Sequence, residues 1–192
     1  MEQGDAPASL GDLAVRAVHD RRAAELLLGR VRDLALKYAR VRLGRFGAED
    51  AAQDVAQEVC MAVLSALPTY EHRGLPFEAF AYRVAARKLA DAQRAVMRTP
   101  TPVAELPDAV DDDPGPEDRA VTRAEARIAL ELMEQLPVQQ REILTLRVAV
   151  GLSTEETAAS LGMTSGAVRV AQHRALTKLR GLMATRTASE VA

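Results

Sequence analysis

Between Thr99 and Arg119 the helical periodicity that marks the rest of the chain stops, and Pro100, Pro102, Pro107, Pro114 and Pro116 take its place. From Ala104 to Asp118 the same stretch carries seven acids and no Lys or Arg. Prolines remove backbone donors and the acids repel one another, so the segment reads as an extended linker and not as a domain. It divides the chain into two units, each small for a domain.

Both units read as helical. Hydrophobic residues make up 48% of the 192 residues, enough for packed cores, but aromatics are only 3% and Trp is absent, while Ala, Leu, Arg and Glu dominate. That mix favours helices over sheets, and the expected fold class is all-α, with two small helical domains joined by the acidic Pro-rich linker. The expected boundaries are a flexible tail over 1–12, a first domain over 13–98, the linker over 99–120, a second domain over 121–186 and a short tail over 187–192.

In the first unit, Leu27, Val31, Leu34, Tyr38 and Val41 line one face of a helix from Arg22 to Leu43, which Gly44 and Gly47 end. A second helix is expected from about Ala48 to Leu67, with Val55, Val59, Ala62, Val63 and Ala66 inward and Pro68 marking its end. After a loop over Tyr70 to Pro76, a third helix runs from Phe77 to Arg98 with Phe77, Phe80, Ala81, Val84, Ala85 and Ala92 on its core side. Its Arg83, Arg87, Arg94 and Arg98 fall on another face, and Asp91 is the only acid from Ala79 to Arg98. Such a stripe can follow a phosphate backbone, or serve only as a solvated face.

In the second unit, periodicity resumes at about Val121 with Ile128 and Leu132, and Leu136-Pro137 separates that helix from one running to Val150. Next, Ser153 and Glu156 have the spacing of a capping box, which starts a short helix ending at Leu161. Leu161-Gly162-Met163 makes a tight turn, and Thr164 or Ser165 can cap the helix that follows, giving a helix-turn-helix. In that last helix Val168, Ala171, Ala175, Leu179 and Leu182 face inward, whereas Arg169, Val170, His173, Arg174, Thr177 and Arg180 project outward. From Thr164 to Arg186 there are five Lys or Arg and no acid, so the helix is locally basic despite a net charge of -2 for the whole chain. Phosphates respond to the local field, not to the total.

Several segments in order resemble sigma factors of the extracytoplasmic-function (ECF) class within the sigma-70 family, most of all the SigD type of actinobacteria. Asp54-Val55-Ala56-Gln57-Glu58-Val59 resembles the region-two segment that grips the polymerase clamp. Phe77 through Ala85 resembles the promoter-melting segment, with Phe80 where many members carry Trp and Arg87 where Asn is frequent. Leu136-Pro137 through Arg147, Gly151 through Ala158, and Gly166-Ala167-Val168-Arg169 resemble region four.

The resemblance implies partners and sites. Asp54, Gln57, Glu58 and Met61 would meet core RNA polymerase at its clamp, and the polymerase flap would be a second contact. By residue type alone, the helical spacing of Asp54, Gln57 and Glu58 gives an acidic edge that suits basic partner side chains, or serves only as a solvated face. Tyr70, His72, Arg73, Arg83, Arg87 and Arg94 would act at the minus-ten element, where the family holds a flipped base; capturing it offsets an unstacking cost of a few kcal/mol. Ser165, Arg169, Val170, His173 and Arg174 would read the minus-thirty-five element: Arg can address guanine bidentately, His can donate, and Val170 can touch a thymine methyl. The acidic linker is a tether by composition and, by resemblance, a segment threading the channel later taken by RNA. An anti-sigma protein is expected as a further partner.

Two other functions are weighed. An autonomous helix-turn-helix transcriptional regulator would not need the clamp-like residues Asp54, Gln57 and Glu58. An enzyme would need a nucleophile beside a base, paired carboxylates, a metal set or a phosphate loop, and none is recognisable, with His19, His72 and His173 isolated. No cofactor or metal is called for. The lone Cys60 permits no internal disulfide and reads as a small apolar helix residue. No long apolar run or signal-peptide pattern occurs, so a cytoplasmic location with no membrane insertion is expected.

Overall fold

The computed structural model describes residues 8–44, 50–71, 74–98 and 126–191. Among these, the regular structure is helical: α1 (Leu10–Ala17), α2 (Arg21–Leu43), α3 (Asp50–Ala66), α4 (Phe77–Arg98), α5 (126–134), α6 (Val138–Leu144), α7 (Thr154–Leu161) and α8 (Ser165–Val191). A short 3-10 turn, Leu67–Thr69, follows α3, and Thr145–Val150 continues α6 as a wider π turn.

α1 begins inside the segment expected to be tail. Ser9 starts it by a capping box, its hydroxyl accepting from the Asp12 amide at 3.1 Å while the Asp12 carboxylate accepts from the Ser9 amide at 3.2 Å. Leu10 and Leu13 are buried against the rest of the unit, which holds the short helix in place. At the other end α8 continues to Val191, through the stretch expected to be a second tail. The residues from Thr177 on lack Gly except Gly181 and lack Pro, so nothing stops the helix.

α2 is started by Asp20, whose carboxylate accepts from the Arg22 and Ala23 amides. Its face of Ala23, Leu27, Val31, Leu34, Ala35, Tyr38, Ala39 and Leu43 is buried against α1, α3 and α4. Gly44 ends it in right-handed geometry, not as a left-handed cap. Gly47 lies outside the described residues, as do the expected helix starts at Ala48 and Val121 and the whole acidic linker. Phe77 is fully buried and anchors α4 to this core, with Ala81, Ala85 and Leu89 following along the same face.

The second unit has thinner cores. Leu136, Leu144 and Ala175 form one cluster, and Ile143, Ala158 and Val168 form another. Glycine is required at two turns. Gly151, at φ +88°, ends the π turn, and Gly162, at φ +65°, joins α7 to α8.

The two units pack directly on each other. Leu146 and Leu152 of the second unit are buried in the same core as α2, α3 and α4, and α7 lies against α4. The spacing and composition of the linker carry no sign of this contact, which depends on side chains distant in sequence.

Candidate nucleic-acid interface

The loop before α4 and the start of α4 build a cleft. Tyr70 stacks edge-on against Phe77 with ring centres 5.0 Å apart, and lies 5.2 Å from Phe80. These contacts hold Tyr70 on one wall of a cleft of about 300 Å³, whose other walls include Thr69, Glu71, Leu75, Pro76 and Arg83. An aromatic face and apolar walls, with one cation (Arg83) and one carboxylate (Glu71) at the rim, suit a planar ligand that both donates and accepts hydrogen bonds, such as a nucleobase. Burial pushes the Tyr70 phenol above its ordinary value, and the nearby Glu78 carboxylate adds to the effect. Tyr70 is therefore a neutral donor near neutral pH.

Arg83 and Arg87 project into solvent from α4, one turn apart. Arg94, two turns further on, is also exposed and pairs with Asp91. His72 and Arg73 lie outside the described residues. The cleft thus brings together Tyr70 and Arg83, with Arg87 and Arg94 extending the same helix away from it.

α3 presents a different surface. Asp54, Gln57, Glu58 and Met61 are all exposed, and Met61 and Leu64 add apolar area with 54% and 50% of their surface open. Glu58 is engaged by Lys88 of α4 at 3.0 Å, a pair that joins two neighbouring helices. Cys60 is half-buried on α3 and its thiol sits 3.7 Å from the Leu28 carbonyl. Burial raises its pKa, with Arg32 opposing, so it is not primed as a nucleophile.

The helix-turn-helix is built by local rules. The Ser153 amide donates to the Glu156 carboxylate at 2.6 Å while the Ser153 hydroxyl accepts from the Glu156 amide at 3.1 Å, completing the capping box. Thr164 accepts from the Ala167 amide at 3.2 Å, starting α8. Val168 and Ala175 are buried, so Arg169, Val170, His173 and Arg174 are turned outward, and all four are exposed; Ser165 is half-buried at the helix start. Arg169 is held by Glu155 of α7 at 3.4 Å, with both side chains more than half exposed. Such a pair contributes little stability, so a base or phosphate can displace Glu155 at small cost.

A third cluster had no signature in the sequence. Glu142 of α6 accepts from the hydroxyls of Tyr38 and Tyr82, each at 2.7 Å, and pairs with Arg42 at 3.1 Å. The Glu142 side chain is only 12% exposed. The two tyrosine rings meet edge-on at 5.4 Å. Burial first, then the Glu142 charge, holds both phenols well above the ordinary tyrosine value, so both remain donors. Spacing could not reveal the cluster, because Glu142 lies 60 to 104 positions from the residues it binds.

Among the described residues, no helix is long and apolar enough to cross a membrane. Comparison with known proteins returns two matching families: sigma-70 region 2 over residues 24–99 and sigma-70, region 4 over residues 126–179. The chain is similar to the ECF RNA polymerase sigma factor ShbA of Streptomyces griseus, at 52% identity over 180 residues that cover 90% of this chain and 94% of that protein. It is likewise similar to the ECF RNA polymerase sigma factor SigD of Mycobacterium tuberculosis, at 50% identity, covering 84% of this chain and 77% of that one. Among solved structures, CnrH in complex with the cytosolic domain of CnrY superposes with a TM-score of 0.64 at 26% identity, covering 90% of this chain and 96% of that chain.

Proposed function

Since the chain belongs to the ECF class of the sigma-70 family of RNA polymerase sigma factors, we propose that its three surfaces divide the work of promoter use among them. The observation that carries this reading is the placement of an aromatic-walled cleft beside arginines in the region-2 match and an outward basic face on α8 in the region-4 match.

Core RNA polymerase is met at its clamp by the exposed edge of α3, through Asp54, Gln57, Glu58 and Met61, with region 4 meeting the flap. Tyr70 and Arg83, with His72 and Arg73 of the neighbouring loop, receive a base of the minus-ten element. Arg87 and Arg94 follow the phosphates beyond it. Arg169, His173 and Arg174, flanked by Ser165 and Val170, read base edges of the minus-thirty-five element in the major groove. The first domain spans 13–98 together with the preceding α1 start, and the second spans 121–186 together with the end of α8. The chain supplies recognition and strand opening, the polymerase supplies catalysis, and both act in the cytoplasm. A further partner is an anti-sigma protein, a reading supported by the superposition on CnrH bound to the cytosolic domain of CnrY.

Run-off transcription by core polymerase, with and without this protein, on a promoter library tests the reading. Promoter-dependent transcripts only in its presence are expected. A folded protein that supports none would overturn it.

A further inference from the structure

The apolar contacts of α8 do little to fix how far that helix is turned about its own axis. Val168 and Ala175, two turns apart on its inner face, each pack into a cluster of three buried residues, and Ala175 offers only a methyl group. Such contacts are non-directional, so they hold the helix down without setting its rotation. For reading bases, rotation decides the outcome. A turn of about 10° moves a side-chain end at a radius of about 5 to 6 Å by about 1 Å. A binding constellation tolerates only about 0.5 Å.

A polar contact sits between the two apolar clusters. Gln172 lies on the same inner face, four residues after Val168 and three before Ala175, and its side chain is half-buried. Its Oε1 accepts from Arg147 Nε at 3.2 Å. Arg147 Nη1 also donates to the Leu152 carbonyl, in the loop between Gly151 and the Ser153 cap of α7. Leu152 is itself buried, which anchors that end of the network. A guanidinium presents its donors in fixed directions within one plane. This one ties together the π turn Thr145–Val150, the entry to α7 and the middle of α8. Gln172 immediately precedes His173 and follows Arg169 by about one turn, so its bond sets where both outward side chains point.

We propose that Arg147 is a positioning residue for specificity at the upstream promoter element: through Gln172 it sets the rotation of α8, and hence the aim of Arg169 and His173 at base edges. The proposal rests on the assignment of α8 to the minus-thirty-five element.

The test titrates reconstituted holoenzyme, carrying the full chain, onto a matched promoter and onto promoters with single-base changes in the upstream element. Gln172→Leu keeps bulk and removes the acceptor. It should cut the ratio of the two affinities by about tenfold, comparable with the loss of one base contact. Binding to DNA without promoter elements should change by less than about twofold, because phosphate attraction does not depend on the aim of these side chains. Arg147→Lys keeps the charge but not the fork of donors, and should lose discrimination in the same direction. Gln172→Glu keeps the acceptor and should retain the parent's ratio. In a His173→Ala background, Gln172→Leu should add no further loss at the base pair whose discrimination His173→Ala has removed. Thermal melts of the same proteins guard against a folding defect. A ratio that stays at the parent's value in both Gln172→Leu and Arg147→Lys, or an equal loss on every sequence, would leave Arg147 a structural role only and overturn the proposal. A parent holoenzyme with no preference at the upstream element would instead overturn the α8 reading itself, so the two failures are distinguishable.

Discussion

The two units bury their side chains in different ways. In the first, Leu27, Val31, Leu43, Val59, Val63, Phe77 and Leu89 close into one continuous core. In the second, buried hydrophobic residues form two small clusters of three, and Leu146 and Leu152 are lent to the neighbour. A thick core holds the first unit rigid around its cleft. A thin one leaves the second dependent on capping boxes, glycine turns and the face it shares with α2 and α4. The unit with least core of its own is thus the one that leans on its neighbour.

The largest expected effect is on the thick core. Phe77→Ala should cost about 3 to 5 kcal/mol in denaturant unfolding and also remove the wall behind Tyr70. Ile143→Ala should cost about 2 to 5 kcal/mol, and its signature is a separate early transition of the second unit. If both variants unfold in one coincident transition, the units are a single cooperative body and the contrast between them breaks.

The two helices proposed to face DNA, α4 and α8, differ in a testable way. Arg169→Ala and His173→Ala should each relax preference at the upstream element, at about 1 to 3 kcal/mol per lost base contact. Arg87→Ala should weaken binding evenly across sequences and lower the salt slope by about one. Binding titrations of the holoenzyme on matched and altered promoters at several salt concentrations separate the two patterns. Equal losses on every sequence from the α8 variants would reduce that helix to phosphate contacts.

Much of this organisation is legible in the chain itself, because it is local. The spacing of Leu27, Val31, Leu34 and Tyr38 places α2, Ser153 and Glu156 announce the start of α7, and Gly162 marks the turn into α8. Those rules act within a few residues. α1 is not legible in the sequence because it has only eight residues, and its place depends on burying Leu10 and Leu13 against distant helices. The Glu142 cluster is hidden for a stronger reason: Tyr38 reads as a core residue and Glu142 as a polar position on a helix, and only the folded chain brings them to 2.7 Å. Of the residues assigned to DNA, the outward set on α8 followed from periodicity, whereas the pairing of Arg169 with Glu155 required the packing of α7 on α8.

Smaller effects sharpen the picture of the second unit. Ser153→Ala removes one half of a capping box and should cost about 1 kcal/mol, read as a lowered melting temperature of that unit. The smallest concerns pH at the contact between α4 and α7. Burial, opposed by a backbone hydrogen bond and more weakly by Arg30 and reinforced by Glu156, raises the Glu78 carboxyl above its ordinary value of 4.5. A carboxyl raised on folding favours the folded form below its unfolded value and loses that contribution as pH climbs through its folded value. Glu78→Gln should therefore raise stability near neutral pH and leave it nearly unchanged at about pH 4, as thermal melts at the two values will show.

On the proposed function, one chain reads two promoter elements through two differently built units. Footprinting of reconstituted holoenzyme on a responsive promoter, with permanganate to mark unpaired thymines, is the sharpest test. Protection is expected at both elements, with thymine reactivity confined to the downstream one and lost in a variant lacking the Tyr70 ring. Protection at the upstream element alone, with no strand opening, would contradict it.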